Sequence, residues 1–377
     1  MTRKKIYILS ADDFIIYQPT ILNLYDFFRD EYDVTIVTFE PEYLGKAKDT
    51  TRKVIYIYPQ KSKLKILKLT DLLCNAVLKR INKLFSFATF RVRLQRWYKA
   101  SLLHNLIRSF ANDILIAVDP MPLYIAQMVK DKICFLSLEI VENDPYIKKM
   151  DATKISCVII QNTDRYNYLF PTVRPPVFYI QNAPMLKNGS VYSGERKDLL
   201  WAGTITTDFA VLDCIEFIDK NQEYKLVLKG ASAKGTKELI ESKYASLVAA
   251  GNIEINSTYF TPSEFTAFIS KFKIGFCFYN WNLIQNNFNY QTAPSGKLFM
   301  YLAAGVPVIA CNIKGFAFIN DYNAGILIDD YSPATILNAV KMIESNYAYF
   351  SNNAYAAFEN TCFDKNAKQL KNFIKTL

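Results

Sequence analysis

The sequence predicts an α/β protein made of two doubly wound parallel-sheet domains, joined by a linker and followed by a helical tail. Three observations carry that expectation. A chain of 377 residues is too long for one ordinary core and suits two domains of about 150–200 residues each. Short apolar, β-branched runs recur in both halves and are nearly continuous rather than alternating, as in parallel strands buried on both faces. Helix-length stretches separate these runs, as parallel crossovers require.

In the first half, KIYILSA (5–11), DVTIVTF (33–39), KVIYIYP (53–59), DILIAVD (113–119), ICFLSLE (133–139) and ISCVIIQ (ending at Gln161) read as strands. PTILNLYDFFRDEY (19–32) and PLYIAQMVK (122–130) read as helices. The stretch APMLKNGSVYSGERKD (183–198) has no periodicity and reads as a linker. A second series follows: LLWAG (199–203), KLVLKG (225–230), NIEINS (252–257), KIGFCFY (273–279), VPVIAC (306–311) and GILIDD (325–330). Helical patterns lie at about 208–219, 235–249, 262–271 and 295–304, and the chain is mostly helical from Pro333 onward. The expected division is 1–184, 199–345 and a tail, 346–377, able to pack back on the first domain. Open α/β sheets bind ligands beyond the carboxyl ends of their strands, so a cleft between the two domains is the expected site.

Composition removes several classes. Hydrophobic residues are 51 % and charged residues 21 % of the chain, which excludes disorder and supports two sizeable cores. The apolar run in MTRKKIYILSADDF stops at Asp12-Asp13, so it reads as a strand and not a signal peptide. No uncharged apolar run reaches the ~18 residues of a membrane span, and a cytoplasmic location is expected. Seven scattered cysteines (74, 134, 157, 214, 277, 311 and 362) never form a CxxC pair and mostly sit in apolar runs, which points to reduced, buried thiols and no zinc site. With His104 as the single histidine, neither a His-rich metal centre nor a Ser-His-Asp triad is expected. No bound metal is expected.

Charge is uneven. Net charge is +10, yet from Lys61 to Arg108 twelve Lys or Arg face one acid, Asp71, leaving 33 basic and 34 acidic residues elsewhere. Within that stretch cations alternate with Leu, Ile, Phe and Trp97-Tyr98. A helix of this kind can lie on an anionic membrane through Lys79, Arg80, Lys83, Arg91 and Arg93. The alternative is a solvated basic face packed on its own domain. No nucleic-acid-binding motif accompanies it.

The most informative block is APSGKLFMYLAAGVPVIAC (293–311). A small-residue turn, Pro294-Ser295-Gly296, opens a helix with Lys297 in its first turn. Free backbone amides, the helix dipole and an ammonium make an anion site suited to a diphosphate. Gly305 ends the helix and a strand follows at once. An ordinary αβ unit with a surface lysine is the plainer alternative.

This block resembles the GT-B glycosyltransferases, in which a nucleotide-sugar lies between two Rossmann-like domains. Their donor half carries a helix of the type (S/N)-x-K-L-x-E-Y-x-A-x-G-x-P-V-I. Ser295, Lys297, Leu298, Tyr301, Ala303, Gly305, Pro307, Val308 and Ile309 match it in order. Asn182-Ala183-Pro184 and Trp201-Ala202-Gly203 also fit the family layout. The resemblance implies metal-independent hexosyl transfer from a nucleotide diphosphate sugar, with UDP as the expected nucleotide and no further cofactor. One departure stands out: Met300 and Thr292 replace the paired glutamates of many retaining members. The chain looks closer to bacterial surface-polysaccharide enzymes with a K-L-x-x-Y helix, some of which invert. A polyprenyl-linked glycan acceptor at the inner face of the cytoplasmic membrane is implied by the same analogy. A sugar-nucleotide epimerase of this architecture, or a non-enzymatic partner subunit, are the other classes.

Donor contacts are expected from Gly203-Thr204 in the loop after the second domain's first strand, from Lys229 at a strand end, and from Asn289 and Tyr290. Ser295, Gly296, Lys297 and Met300 complete that set. Each has a bland alternative as a turn, a surface lysine or a plain loop. An inverting transferase needs a carboxylate to take the acceptor proton. Glu139, then Asp13, are the candidates among the strand-end acids Asp12, Asp13, Asp119 and Glu139.

Overall fold

The computed structural model describes residues 3–12, 15, 18–40, 48–58, 87–110, 112–186, 194–258, 260 and 262–377, without the side chains of 87–94 and 262–263. The chain forms two compact units. The first comprises Met1–Ile160, Tyr166–Phe178 and Lys371–Leu377, and the second Gln161–Arg165 and Tyr179–Leu370.

Seven strands make the first sheet: β1 (Lys5–Leu9), β2 (Asp33–Phe39), β3 (Val54–Ile57), β4 (Ile114–Val118), β5 (Ile133–Leu136), β6 (Ile155–Ile160) and β7 (Val177–Tyr179). Their order is β3-β2-β1-β4-β5-β6-β7, and β3 through β6 run parallel. In the central strands nearly every side chain is buried, as the unbroken apolar runs require of a sheet covered on both faces. At the edges, β3 and β7 are only half buried.

The second sheet has six strands: β8 (Lys197–Ala202), β9 (Leu226–Lys229), β10 (Ile253–Asn256), β11 (Phe272–Cys277), β12 (Val308–Cys311) and β13 (Gly325–Ile328). Its order, β10-β9-β8-β11-β12-β13, is the 3-2-1-4-5-6 order of a doubly wound sheet, again parallel throughout.

Three local expectations change. The helix Thr163–Leu169 and strand β7 were not expected; TDRYNYL is mostly polar, and a three-residue strand has no measurable period. The stretch 235–249 is two helices, Thr236–Lys243 and Ala245–Ala249, because Tyr244 between them leaves helical geometry at φ −118° and ψ 31°. The end of the linker, Lys197-Asp198, belongs to β8.

The tail forms the helices Pro333–Ser345, Tyr347–Thr361 and Phe363–Ile374. Its end, from Lys371, belongs to the first unit. There Lys371 and Lys375 pair with Glu31 at 2.5 and 3.1 Å, and the Phe373 ring lies 5.4 Å from that of Phe178. The hydrogen bond from Lys371, then that from Lys375, holds the Glu31 carboxyl below its ordinary range.

Of the basic stretch, Lys79, Arg80 and Lys83 lie outside the described residues, and Arg91 and Arg93 fall in the helix Phe87–Ile107 without described side chains. Further along that helix, Leu103 and Ile107 are buried. Arg96 pairs with Asp144 at 2.6 Å, and the Lys99 ammonium sits 5.1 Å from the centre of the Phe39 ring. These two cations serve packing within the first unit rather than a free basic face. Trp97 between them is 68 % exposed. Among the described residues, no helix is long and apolar enough to cross a membrane.

Candidate functional site

The strand order of the second sheet reverses between β8 and β11, and the crevice beyond their carboxyl ends is where such a sheet binds ligands. The helix Gly296–Ala303 begins there. Leu298, Phe299, Tyr301 and Leu302 bury one side of it, Ser295 is its N-cap without a side-chain capping bond, and Gly305, at φ +64°, follows its last turn. The Arg196 guanidinium donates to the carbonyls of Ala304 and Gly305 at the far end. The carboxyl end of this helix is therefore covered, while no side chain caps the amides at its start.

Tyr301 locks the helix to the sheet. Its buried hydroxyl accepts the Ala202 amide at 2.7 Å and lies 3.3 and 3.2 Å from the carbonyls of Leu200 and Phe276, to one of which it donates. A side chain at Gly275 would put its Cβ 2.7 Å from the Tyr301 ring, so glycine is required opposite it. Burial pushes the Tyr301 hydroxyl well above its ordinary pKa, so it stays a neutral donor and acceptor. Tyr301→Phe should leave the Ala202 amide unsatisfied and cost about 1–3 kcal/mol, read as a lower denaturation midpoint; an unchanged midpoint would refute this anchoring role.

Lys297 stands one residue into the helix. Its ammonium is buried and has no hydrogen-bond partner among the described residues. Instead it faces three rings, at 4.7 Å from Trp201, 4.7 Å from Phe209 and 5.7 Å from Tyr279. Three different segments supply them: Trp201 is the penultimate residue of β8, Phe209 precedes the helix Val211–Lys220, and Tyr279 follows β11. The helix Val211–Lys220 also starts without a side-chain cap. The neighbouring thiols do not neutralise the charge. Burial pushes Cys214 and Cys277 up against the opposing pull of Lys297, so both remain protonated.

An isolated buried ammonium costs several kcal/mol, and cation–π contacts return about 0.5–2 kcal/mol each. The balance leaves a cation that would gain from an anion. Metal ligation has no comparable candidate: no cluster of three or more His, Cys, Asp or Glu suited to a metal occurs among the described residues.

The structure gathers some expected residues and separates others. Gly203 abuts Lys297: a Cβ there would lie 2.8 Å from Lys297 Cδ and 3.6 Å from its Nζ. Gly203 has φ +126°, and Gly230 backs onto it so closely that a Cβ at Gly230 would sit 1.9 Å from the Gly203 carbonyl oxygen. Ser295, Gly296 and Lys297 form the open helix start, with the Asn182 amide group beside Gly296. Thr204 is exposed on the Gly203 loop, and Met300 packs half-buried against the core. The Tyr290 ring lies tilted against Tyr279 with centroids 5.3 Å apart, which joins it to the cage, whereas the side-chain oxygen Oδ1 of Asn289 accepts from Arg165 at 2.8 Å.

Lys229 goes elsewhere. It is buried, donates to Asn256 Oδ1 at 3.0 Å and to the Thr258 carbonyl, and lies 4.1 Å from the Phe260 ring. Its ammonium fastens β9 to the end of β10, and burial lowers its pKa. In the first unit, Glu139 is exposed just beyond β5, and Asp13 lies outside the described residues. The cage rings of Trp201, Phe209 and Tyr279 were not expected as site residues, since no local pattern marks a ring that will face a distant lysine.

No protein-family model matches the sequence, and no curated protein matches it. Solved structures do. Sucrose-phosphate synthase from Thermosynechococcus elongatus is 11 % identical and aligns over 99 % of each chain with a TM-score of 0.66. The HepE protein of Anabaena, solved with UDP, is 10 % identical and aligns over 99 % of this chain and all of its own, also at 0.66. The pneumococcal O-GlcNAc transferase GtfA, solved with UDP and GlcNAc, is 14 % identical with a TM-score of 0.56. That match covers 74 % of this chain, which spans 60 % of GtfA. The fold is GT-B. The helix Gly296–Ala303 lies in the β11–β12 connection of the six-stranded sheet.

Proposed function

We propose that the chain is a glycosyltransferase that moves a sugar from a UDP-sugar to an acceptor hydroxyl. The observation that carries the reading is the buried, unpartnered Lys297 ammonium at an uncapped helix start, on the switch point of a GT-B sheet. In transfer, the bond from the anomeric carbon to the diphosphate oxygen breaks and UDP leaves with the bonding electrons. The acceptor oxygen bonds to the anomeric carbon, and a base takes the hydroxyl proton. Lys297 and the first amides of its helix stabilise the charge growing on the diphosphate. Glu139, or Asp13, takes the proton if the configuration inverts.

Thermal shift with UDP-, GDP-, dTDP- and CMP-sugars tests the reading, followed by UDP release with and without acceptor glycans. A UDP-sugar should raise the midpoint and its turnover should require an acceptor. Turnover to an isomerised donor without acceptor would favour an epimerase. Failure to bind any nucleotide sugar would favour a non-enzymatic subunit.

The acceptor in this reading is a lipid-linked glycan of surface-polysaccharide synthesis, approached from the inner face of the cytoplasmic membrane through residues 61–108. Support comes from the excess of cations over one acid in that stretch, ten of the twelve once Arg96 and Lys99 are set aside, and from exposed Trp97. The protein should co-sediment with phosphatidylglycerol vesicles and less so at high salt. Replacing Lys79, Arg80, Lys83, Arg91 and Arg93 by Gln should release it. Wild-type protein that ignores anionic vesicles would remove the membrane from the proposal.

A further inference from the structure

The end of β4 carries a residue with an unusual posture. Asp119 has φ +62° and ψ 169°, a strained conformation for a non-glycine residue that persists only where its surroundings enforce it. It is also the N-cap of the helix Pro120–Ala126, the position where Asp is among the strongest capping residues. Yet its carboxylate makes no capping bond to that helix. One of its oxygens, Oδ1, instead accepts the backbone amides of Leu138 at 2.7 Å and Glu139 at 3.0 Å, while its own amide donates to the Leu136 carbonyl at 2.8 Å. The loop beyond β5 is pinned on both sides of these bonds. The Ser137 amide donates to the Ile159 carbonyl at 2.9 Å, and Ile140 is buried. Glu139 is the exposed residue between these anchors.

We propose that Asp119 is a positioning residue: its carboxylate gives up the cap of its own helix to set the backbone from which Glu139 reaches the acceptor. The inference rests on the proposed transferase role of Glu139. Asp119 touches neither donor nor acceptor in this account. It acts through two amide bonds, and a neutral amide oxygen of the same length can replace it.

The test compares Asp119→Asn, Asp119→Ala and Glu139→Gln in full-length protein, with UDP release from UDP-glucose and UDP-N-acetylglucosamine in the presence of acceptor glycans and with hydrogen exchange over 137–140. Asparagine keeps the acceptor oxygen and should hold kcat within roughly threefold of wild type, since the amide bonds remain. Alanine loses it; kcat should fall on the order of 10²-fold with donor KM unchanged, because a small misplacement of a reacting group has effects of that size. Joined to Glu139→Gln, Asp119→Ala should add little, as expected of residues acting as one unit. Exchange at 137–140 should accelerate in the alanine variant and not in the asparagine one. Loss of kcat in Asp119→Asn equal to that in alanine would mean that the charge itself acts, and would overturn the proposal. So would unchanged exchange in Asp119→Ala. If wild-type protein releases UDP from neither sugar, that failure falls on the transferase reading, while the exchange measurement still decides whether Asp119 holds the loop.

Discussion

Lys297→Met is expected to weaken UDP binding by roughly ten- to hundredfold, the size of a lost charge-assisted contact to phosphate. The same substitution should leave the unfolding midpoint unchanged or raise it. Both follow from one observation. The ammonium is buried among Trp201, Phe209 and Tyr279 with no hydrogen-bond partner among the described residues. Methionine keeps most of the aliphatic stem that packs beside Gly203 and removes a buried charge without a hydrogen-bond partner among the described residues, a replacement that is often tolerated or stabilising. A purely structural lysine predicts the opposite pair, lower stability with UDP binding intact. Calorimetric titration with UDP and a denaturation curve on the same preparation separate them.

Gly230→Ala should be the most damaging small substitution in the second unit, at about 3–5 kcal/mol when an unfavourable backbone is added to a backbone clash. Gly230 has φ +148°, and its Cβ would sit 1.9 Å from the Gly203 carbonyl oxygen. No side-chain rotation relieves that contact, because both partners are main chain. Beyond the two glycines the loops stay zipped, with the Ile205 amide bonded to the Ala231 carbonyl and the Ala233 amide to the Ile205 carbonyl, each at 2.9 Å. Separation of the strands would therefore displace Gly203 from Lys297, and UDP affinity should fall with stability. Urea denaturation measures the first effect; a midpoint within experimental error of wild type would show that the close approach is not a constraint.

The parts of this fold that were legible in the sequence are those dictated by local pattern. DVTIVTF coincides with β2, Asp33–Phe39, because its run of Val, Thr, Ile and Phe suits a strand buried at nearly every position. The helix Gly296–Ala303 was legible at both ends, from the turn at Ser295 to the left-handed Gly305. Segments too short or too polar to show a period, β7 and Thr163–Leu169, were not. Lys229 shows a different limit: a lysine at a strand end looks the same whether it meets solvent or, as here, Asn256 and Phe260 from the neighbouring strand's end. Charge counting likewise found the basic stretch but could not foresee that Arg96 is taken up by Asp144, 48 positions away. The aromatic cage is topological in origin. Trp201, Phe209 and Tyr279 meet Lys297 only because β8 and β11 are neighbours at the reversal of strand order.

The most direct test of the account is a crystal structure with UDP. The account predicts the diphosphate within hydrogen-bonding distance of Lys297 Nζ and of the amides that open the helix Gly296–Ala303, with Gly203 alongside. UDP bound at another site, or no UDP at saturating concentration, would contradict it.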